Sequence, residues 1–275
     1  MPLRVSFVPS WFKKTYYFPL MKNFLLASIV LLSLPAHSQP NSSTHQLGST
    51  SIRFVQTCGQ PQAGISWLHV HENETTAVAT AKALIDSLQL GCFVTWQHSG
   101  DRYVSYQLAG KQYKFDPNRI YTPKGLAATL KANGHYSAKG YKAAQQLADA
   151  FIRKYVAGNR LVIAMHNNSD GGGLHIKSYL PGGDYANDAA EVYVNEAADI
   201  DDFFYTTDKR IFDFLKARGF NILLQKNATV TDDGSLSVYC GNQQMAYLNI
   251  EAQQGHLAEQ KAMMLAVYEM IRALF

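Results

Sequence analysis

The stretch that most constrains this chain is Ile65-Ser66-Trp67-Leu68-His69-Val70-His71-Glu72-Asn73-Glu74, an apolar run that stops abruptly at two histidines and two carboxylates. A run of this kind predicts a buried strand that delivers polar groups to the end of a sheet. From Glu74 to Gln89, Val78, Ala81, Ile85 and Leu88 recur at helical spacing, with Gly91 where a C-cap belongs. The strand therefore runs into a helix, and His71 and Glu74 can converge at the junction, where a metal ion could be held.

The rest of the chain repeats this alternation. Strands are expected at Ser51 to Thr57, Cys92 to Gln97, Arg160 to Met165, Phe220 to Leu224 and Met245 to Glu251. Helices are expected at Ala138 to Val156, Asp208 to Arg218 and Leu257 to Leu274. Tyr103 to Leu108 and Lys111 to Phe115 flank Ala109-Gly110 as a hairpin. Asp116 to Gly134, punctuated by Pro117 and Pro123, reads as irregular, and the glycine run Gly171-Gly172-Gly173 after His166 reads as a loop over a site. The predicted fold class is α/β: a single-domain three-layer sandwich with a mixed, mostly parallel sheet between helices.

Charge narrows the function. The formal net charge of +4 is carried by the first residues, because Arg4, Lys13, Lys14 and Lys22 precede Gln39 and no acidic residue does. The remainder holds 21 basic and 21 acidic residues, which removes the electrostatic case for nucleic acid or an anionic membrane surface. Residues 21–38 have the anatomy of a secretory signal peptide: Lys22, the apolar run Phe24 to Leu32, then small residues at Ala36 and Ser38. An uncleaved anchor is the competing reading, disfavoured because the apolar run is short for a span. Residues 1–20 are expected to be a mis-assigned N-terminal extension, 39–50 a polar linker and 51–275 the catalytic domain, exported to the periplasm or secreted. Of the three cysteines, Cys58 and Cys92 flank predicted strands and are the pair a single disulfide would join, with burial as free thiols an equal reading.

Several strands end in groups that chemistry can use: His71 with Glu74, then His166, then Glu251. Carboxyl ends of strands are where ligands gather in open α/β sheets, so these positions can be neighbours despite their separation in sequence. The order His-x-x-Glu, Asp-x-Asn-Arg, a histidine after an apolar strand, and a glutamate ending a late strand resembles the zinc carboxypeptidases. The aspartoacylase and succinylglutamate desuccinylase enzymes are relatives in the same superfamily. The resemblance runs from about Ser51 to the C-terminus.

That resemblance implies one zinc ion per chain, held by His71, Glu74 and His166, with Glu251 as general base. It implies that Arg102 polarises the scissile carbonyl, and that Asn118 and Arg119 grip a substrate carboxylate, for which a guanidinium fork is well shaped. Leu236 follows Gly234-Ser235, similar to the family's specificity loop, and Tyr239 is a loose substitute for the family's substrate-contacting tyrosine; both are carried over as substrate-binding residues. A second register is open, because His69-Val70-His71-Glu72 also satisfies His-x-x-Glu, and His175 competes with His166. The implied activity is zinc-dependent hydrolysis of a C-terminal amide bond in peptides or cell-wall stem peptides (muropeptides) that carry a free carboxylate. Two alternatives are a deacylase of N-acyl amino acids and a binding module that has lost the chemistry.

Overall fold

A computed structural model of the chain describes residues 41–275, residue 90 excepted. The signal peptide and N-terminal extension expected from the sequence lie outside these residues. Among the described residues, eleven strands and six α-helices follow one another in an α/β order. Nine of the strands form one sheet, and the other two, β5 (Val104–Leu108) and β6 (Lys111–Phe115), pair as the expected hairpin.

The large sheet is built outward from three central parallel strands, β3 (Ile65–His69), β7 (Leu161–Asn168) and β11 (Ala246–Gln253). On one side of β3 lie β4 (Cys92–Gln97), then β2 (Thr50–Cys58), then β1 (Asn41–Leu47) at the edge. Beyond β11 lie β9 (Phe203–Thr206), β10 (Ile222–Gln225) and the other edge strand β8 (Ala189–Tyr193). Four of the eight pairings are parallel and four antiparallel. The sheet is thus mixed, as expected: six of its nine strands run the same way, and antiparallel pairings lie on both flanks of the parallel centre.

Alternation along β7 shows how the layers form. Leu161, Ile163 and Met165 join one apolar cluster, and Val162 and Ala164 join the other. The first cluster packs under α1 (Thr75–Leu88), α4 (Lys209–Lys216) and α6 (Leu257–Leu274). The second packs under α2 (Pro123–Asn133), α3 (Ala138–Phe151) and α5 (Leu236–Asn242). A strand buried on both faces must be continuously apolar, and each side chain removed from water stabilises the sandwich by ~1.5–3 kcal/mol.

Two expectations are corrected. Residues 41–47 are no linker: they form β1 and pair with all of Thr50 to Gln56. Its polar residues alternate outward at a sheet edge, which disguises a strand as a spacer. The segment from Asp116 is not irregular either. Thr122 caps α2 by accepting from Gly125 N, and Pro123 occupies the first turn, where its missing N–H costs nothing. Cys58 and Cys92 are directly paired across β2 and β4 and form a disulfide, leaving Cys240 as a buried thiol.

Candidate metal centre

Parallel pairing of β3, β7 and β11 aligns their carboxyl ends, and the polar groups that end them meet there. His71 follows β3 by two residues, while His166 and Glu251 sit near the carboxyl ends of β7 and β11 as directly opposed partners. Glu74 occupies the N-cap position of α1, yet its side chain caps nothing in that helix. It turns instead towards the two histidines. Glu74 Oε1 is 2.8 Å from His71 Nδ1, Glu74 Oε2 is 3.0 Å from His166 Nδ1, and the two ring nitrogens are 3.0 Å apart. All three residues are buried.

These three groups could hold a metal ion, since one ligand atom from each lies within 4.8 Å of the others. The donor set fits. Two imidazole nitrogens facing each other can share one proton at most, so a lone pair and a carboxylate converge in a dry site, which a cation satisfies. His71 Nε2 is pinned 2.7 Å from Asp116 Oδ1, which fixes the ring and directs Nδ1 at the cluster. A carboxylate behind a ligating histidine is the arrangement that sets its tautomer and orientation.

Electrostatics follow the geometry. Burial alone would raise the Glu74 carboxyl, but the flanking His71 and His166 outweigh it and hold Glu74 well below the usual carboxylate range. His71 is opposed by burial but driven up to about 9 by Glu74 and Asp116. The Asp116 carboxyl is also depressed, burial being overcome chiefly by His71. Glu251 moves the other way, raised by burial, and its Oε1 accepts from Asn249 Nδ2 at 2.8 Å.

The alternative register does not come together. Glu72 accepts three backbone N–H groups, from His98, Ser99 and Gly100, at 2.7–2.9 Å, and so ties down the loop after β4. His69 points its Nε2 at the Glu74 carbonyl oxygen, 3.0 Å away, and burial lowers its pKa to about 4, so it is neutral. His175 contacts Ser178 and does not reach the cluster.

A cavity of about 470 Å³ opens over the cluster, lined by His71, Glu74, His166, Glu251, Arg102, Asn118 and Arg119 together with the loop Ser169 to Leu174. Arg102 donates to Glu74 Oε1 at 2.6 Å and lies 3.5 Å from Asp116. Asn118 Oδ1 accepts from Leu236 N, which leaves its Nδ2 for other partners. Leu236 itself is buried in the core under α5, and neither it nor Tyr239 lines this cavity or the one beside it. Ser235 and Asp233 of the same loop do line the neighbouring cavity. A larger cavity, about 710 Å³, opens at the other end of β11 beside Asp208 and Asn242, away from these groups.

Three further residues hold the centre in place. Asp116 stands behind His71. Asn167 donates its N–H to Glu74 Oε2 and presents Oδ1 to Ala77 N, the third N–H of α1, while Gln260 donates to the His166 carbonyl and accepts from Asn167 Nδ2. Asp116 falls within the Asp-x-Asn-Arg motif, whereas Asn167 and Gln260 leave no signal in the sequence.

No protein-family model matches the chain, and none of the curated proteins matches it. Solved structures do resemble it. One is a proposed metallopeptidase from Shewanella denitrificans, with 13% identity, 84% of this chain and 82% of that chain covered, and a TM-score of 0.41. Another is a proposed succinylglutamate desuccinylase/aspartoacylase from Shewanella frigidimarina, at 13% identity, 83% and 70% coverage and a TM-score of 0.37. Thrombin activatable fibrinolysis inhibitor aligns at 11% identity over 82% of this chain and 67% of its own, with a TM-score of 0.44.

Proposed function

We propose that the protein is a metal-dependent hydrolase of amide bonds that lie next to a free carboxylate, acting as a carboxypeptidase on peptides or cell-wall stem peptides. The observation that carries this reading is one cavity lined at once by a histidine–glutamate–histidine cluster, a buried glutamate and an asparagine–arginine pair.

His71, Glu74 and His166 are the residues that would hold the metal, and two histidines with one glutamate suit zinc with a coordination position left open. When bound, zinc supplies Lewis-acid polarisation of a carbonyl and a more acidic water. Glu251 takes a proton at its carboxylate and returns it to the leaving amine. Burial suits it to that work, because a carboxylate out of water holds a proton more strongly. Arg119, with its guanidinium at the cavity wall beside Asn118, grips the terminal carboxylate and so confines cleavage to the last bond. Arg102 stabilises negative charge developing on the carbonyl oxygen. The charged and amide side chains in the cavity lining support a charged substrate end.

The test is the Glu251→Gln variant, assayed with benzoylglycyl amino acids and by metal analysis. Hydrolysis should fall by ~10²–10⁴ while one metal per chain is retained. Undiminished turnover removes Glu251 from its role, and a natively purified wild-type chain without metal removes the whole reading.

A further inference from the structure

The cavity over the metal centre is not closed on its far side. A second cavity, also about 470 Å³, shares Asn118, Arg119, Leu174 and Glu251 with the first. The two are therefore chambers that meet at the Asn118–Arg119 pair, where the proposed reading holds the substrate carboxylate. The side chain of the residue bearing that carboxylate then enters the second chamber.

Charge in this chamber is one-sided. Asp184, Asp188 and Asp233 line it with Glu251 at its inner end, against the single cation Arg119. Asp233 is already engaged, with Oδ2 3.3 Å from Arg119 Nε and Oδ1 accepting from Ser235 N. Asp188 accepts only the N–H of Thr231 through Oδ1, and among the described residues no ion pair engages Asp184 or Asp188. Carboxylates around a cavity with low-dielectric walls focus a negative potential into it.

One neutral group asks for a donor, and a second stands beside it able to accept one. Asn249 lines the chamber with its Nδ2 committed to Glu251, and its Oδ1 is buried without a hydrogen-bond partner. Tyr179 is only 8% exposed, its ring packed among Tyr185, Phe203 and Tyr205, and its hydroxyl is bonded to no other described residue. Tyr185, Tyr205 and Tyr247 add further aromatic walls, against which a cation is favoured. An apolar side chain would leave the Asn249 acceptor unpaired, and an acidic one would meet three carboxylates.

We propose that this chamber selects a cationic side chain, an ammonium or guanidinium, on the residue whose carboxylate Asn118 and Arg119 hold. This rests on the reading of the site given above. Asp184 and Asp188 supply the long-range attraction, and Asn249 and Tyr179 accept from the charged head.

The experiment separates the two. The metal-loaded full chain is titrated calorimetrically with L- and D-lysine, arginine, norleucine and glutamate, and is assayed on benzoylglycyl-lysine, -phenylalanine and -glutamate. Lysine or arginine should bind about tenfold or more tighter than norleucine, with the difference shrinking as salt is raised. The D184N/D188N variant should bring the lysine to norleucine ratio close to one, and D184N alone, at an exposed position where folding is not at stake, should lower it part of the way. Equal binding of lysine and norleucine, or an undiminished preference in both variants, overturns the chamber. Hydrolysis without a lysine preference overturns the chamber and leaves the hydrolase standing, whereas lysine-selective binding without hydrolysis does the reverse.

Discussion

Glu251 on β11 lies directly opposite His166 on β7 in the parallel register of the two central strands. That pairing fixes the spacing between a proposed ligand and the proposed base by backbone hydrogen bonds rather than by a loop. Shortening the side chain should therefore be costly, because the strand cannot move to compensate. Glu251→Asp is expected to lose ~10²-fold in kcat with metal content unchanged, measured by steady-state kinetics alongside metal analysis.

Asp116 holds His71 from behind at 2.7 Å, so its loss frees the ring to rotate and to change tautomer. Asp116→Ala should weaken metal affinity by ~10–100-fold, read by competition with a chromogenic chelator. An affinity equal to wild type would mean that Asp116 serves only the turn, where it accepts from Asn118 N.

The start of α1 depends on a residue from another element. Glu74 does not cap it, and Asn167 Oδ1 accepts from Ala77 N at 2.9 Å in its place. Asn167→Ala is expected to cost ~0.5–2 kcal/mol in urea unfolding of the metal-free chain, the magnitude of a lost N-cap. It should cost more than Asn133→Ala, whose amide bonds only within its own helix.

Asp208 caps α4 by accepting from Arg210 N, and its side chain pairs with the Arg210 guanidinium. Burial pulls its pKa upward, but the Arg210 bonds prevail and hold it below the usual carboxylate range. A carboxyl depressed in the folded state stabilises above its unfolded pKa of ~3.9 and loses that contribution as pH falls through the folded value. Asp208→Ala should therefore be destabilised by about 1 kcal/mol at pH 7, with the gap to wild type narrowing as pH falls below the unfolded value of ~3.9. Urea melts above and below that value decide it.

The Cys58–Cys92 disulfide joins positions 34 apart in sequence and encloses β3, the His71–Glu74 pair and α1. The Cys58→Ser/Cys92→Ser variant should lose ~2–4 kcal/mol of stability, measured against wild type in the absence of reductant.

Much of this architecture was legible because it is written locally. Cys92–Gln97 and Leu257–Leu274 run as the apolar period predicts, and Thr75–Leu88 begins one residue after its expected start. Strands β8 and β9 were not foreseen: Ala189–Tyr193 is an edge strand with no buried residue and Phe203–Thr206 is only four residues long, so neither offers a countable alternation. Helix α2 is hidden because Pro123 reads as a breaker, although Thr122 stands before it as a cap. In the site, ionisable residues at strand ends announced themselves, since burying charge needs a reason. Asn167 and Gln260 did not, because an amide matters here only through partners more than 80 residues away. Leu236 looked like a pocket residue from its place after Gly234-Ser235, but α5 turns it into the core and leaves Asp233 and Ser235 facing the cavity.

The bond from Asn167 to Ala77 has a further consequence for the order of assembly. The first turn of α1 is satisfied only once β7 has docked beside β3, and the same docking delivers His166 to Glu74. Helix start and ligand cluster thus share one requirement, the pairing of β7 with β3. In small metal-dependent domains the ion itself drives folding. Here the scaffold should arrive already shaped, so that a chelated chain keeps its secondary structure and recovers function on simple re-addition of metal.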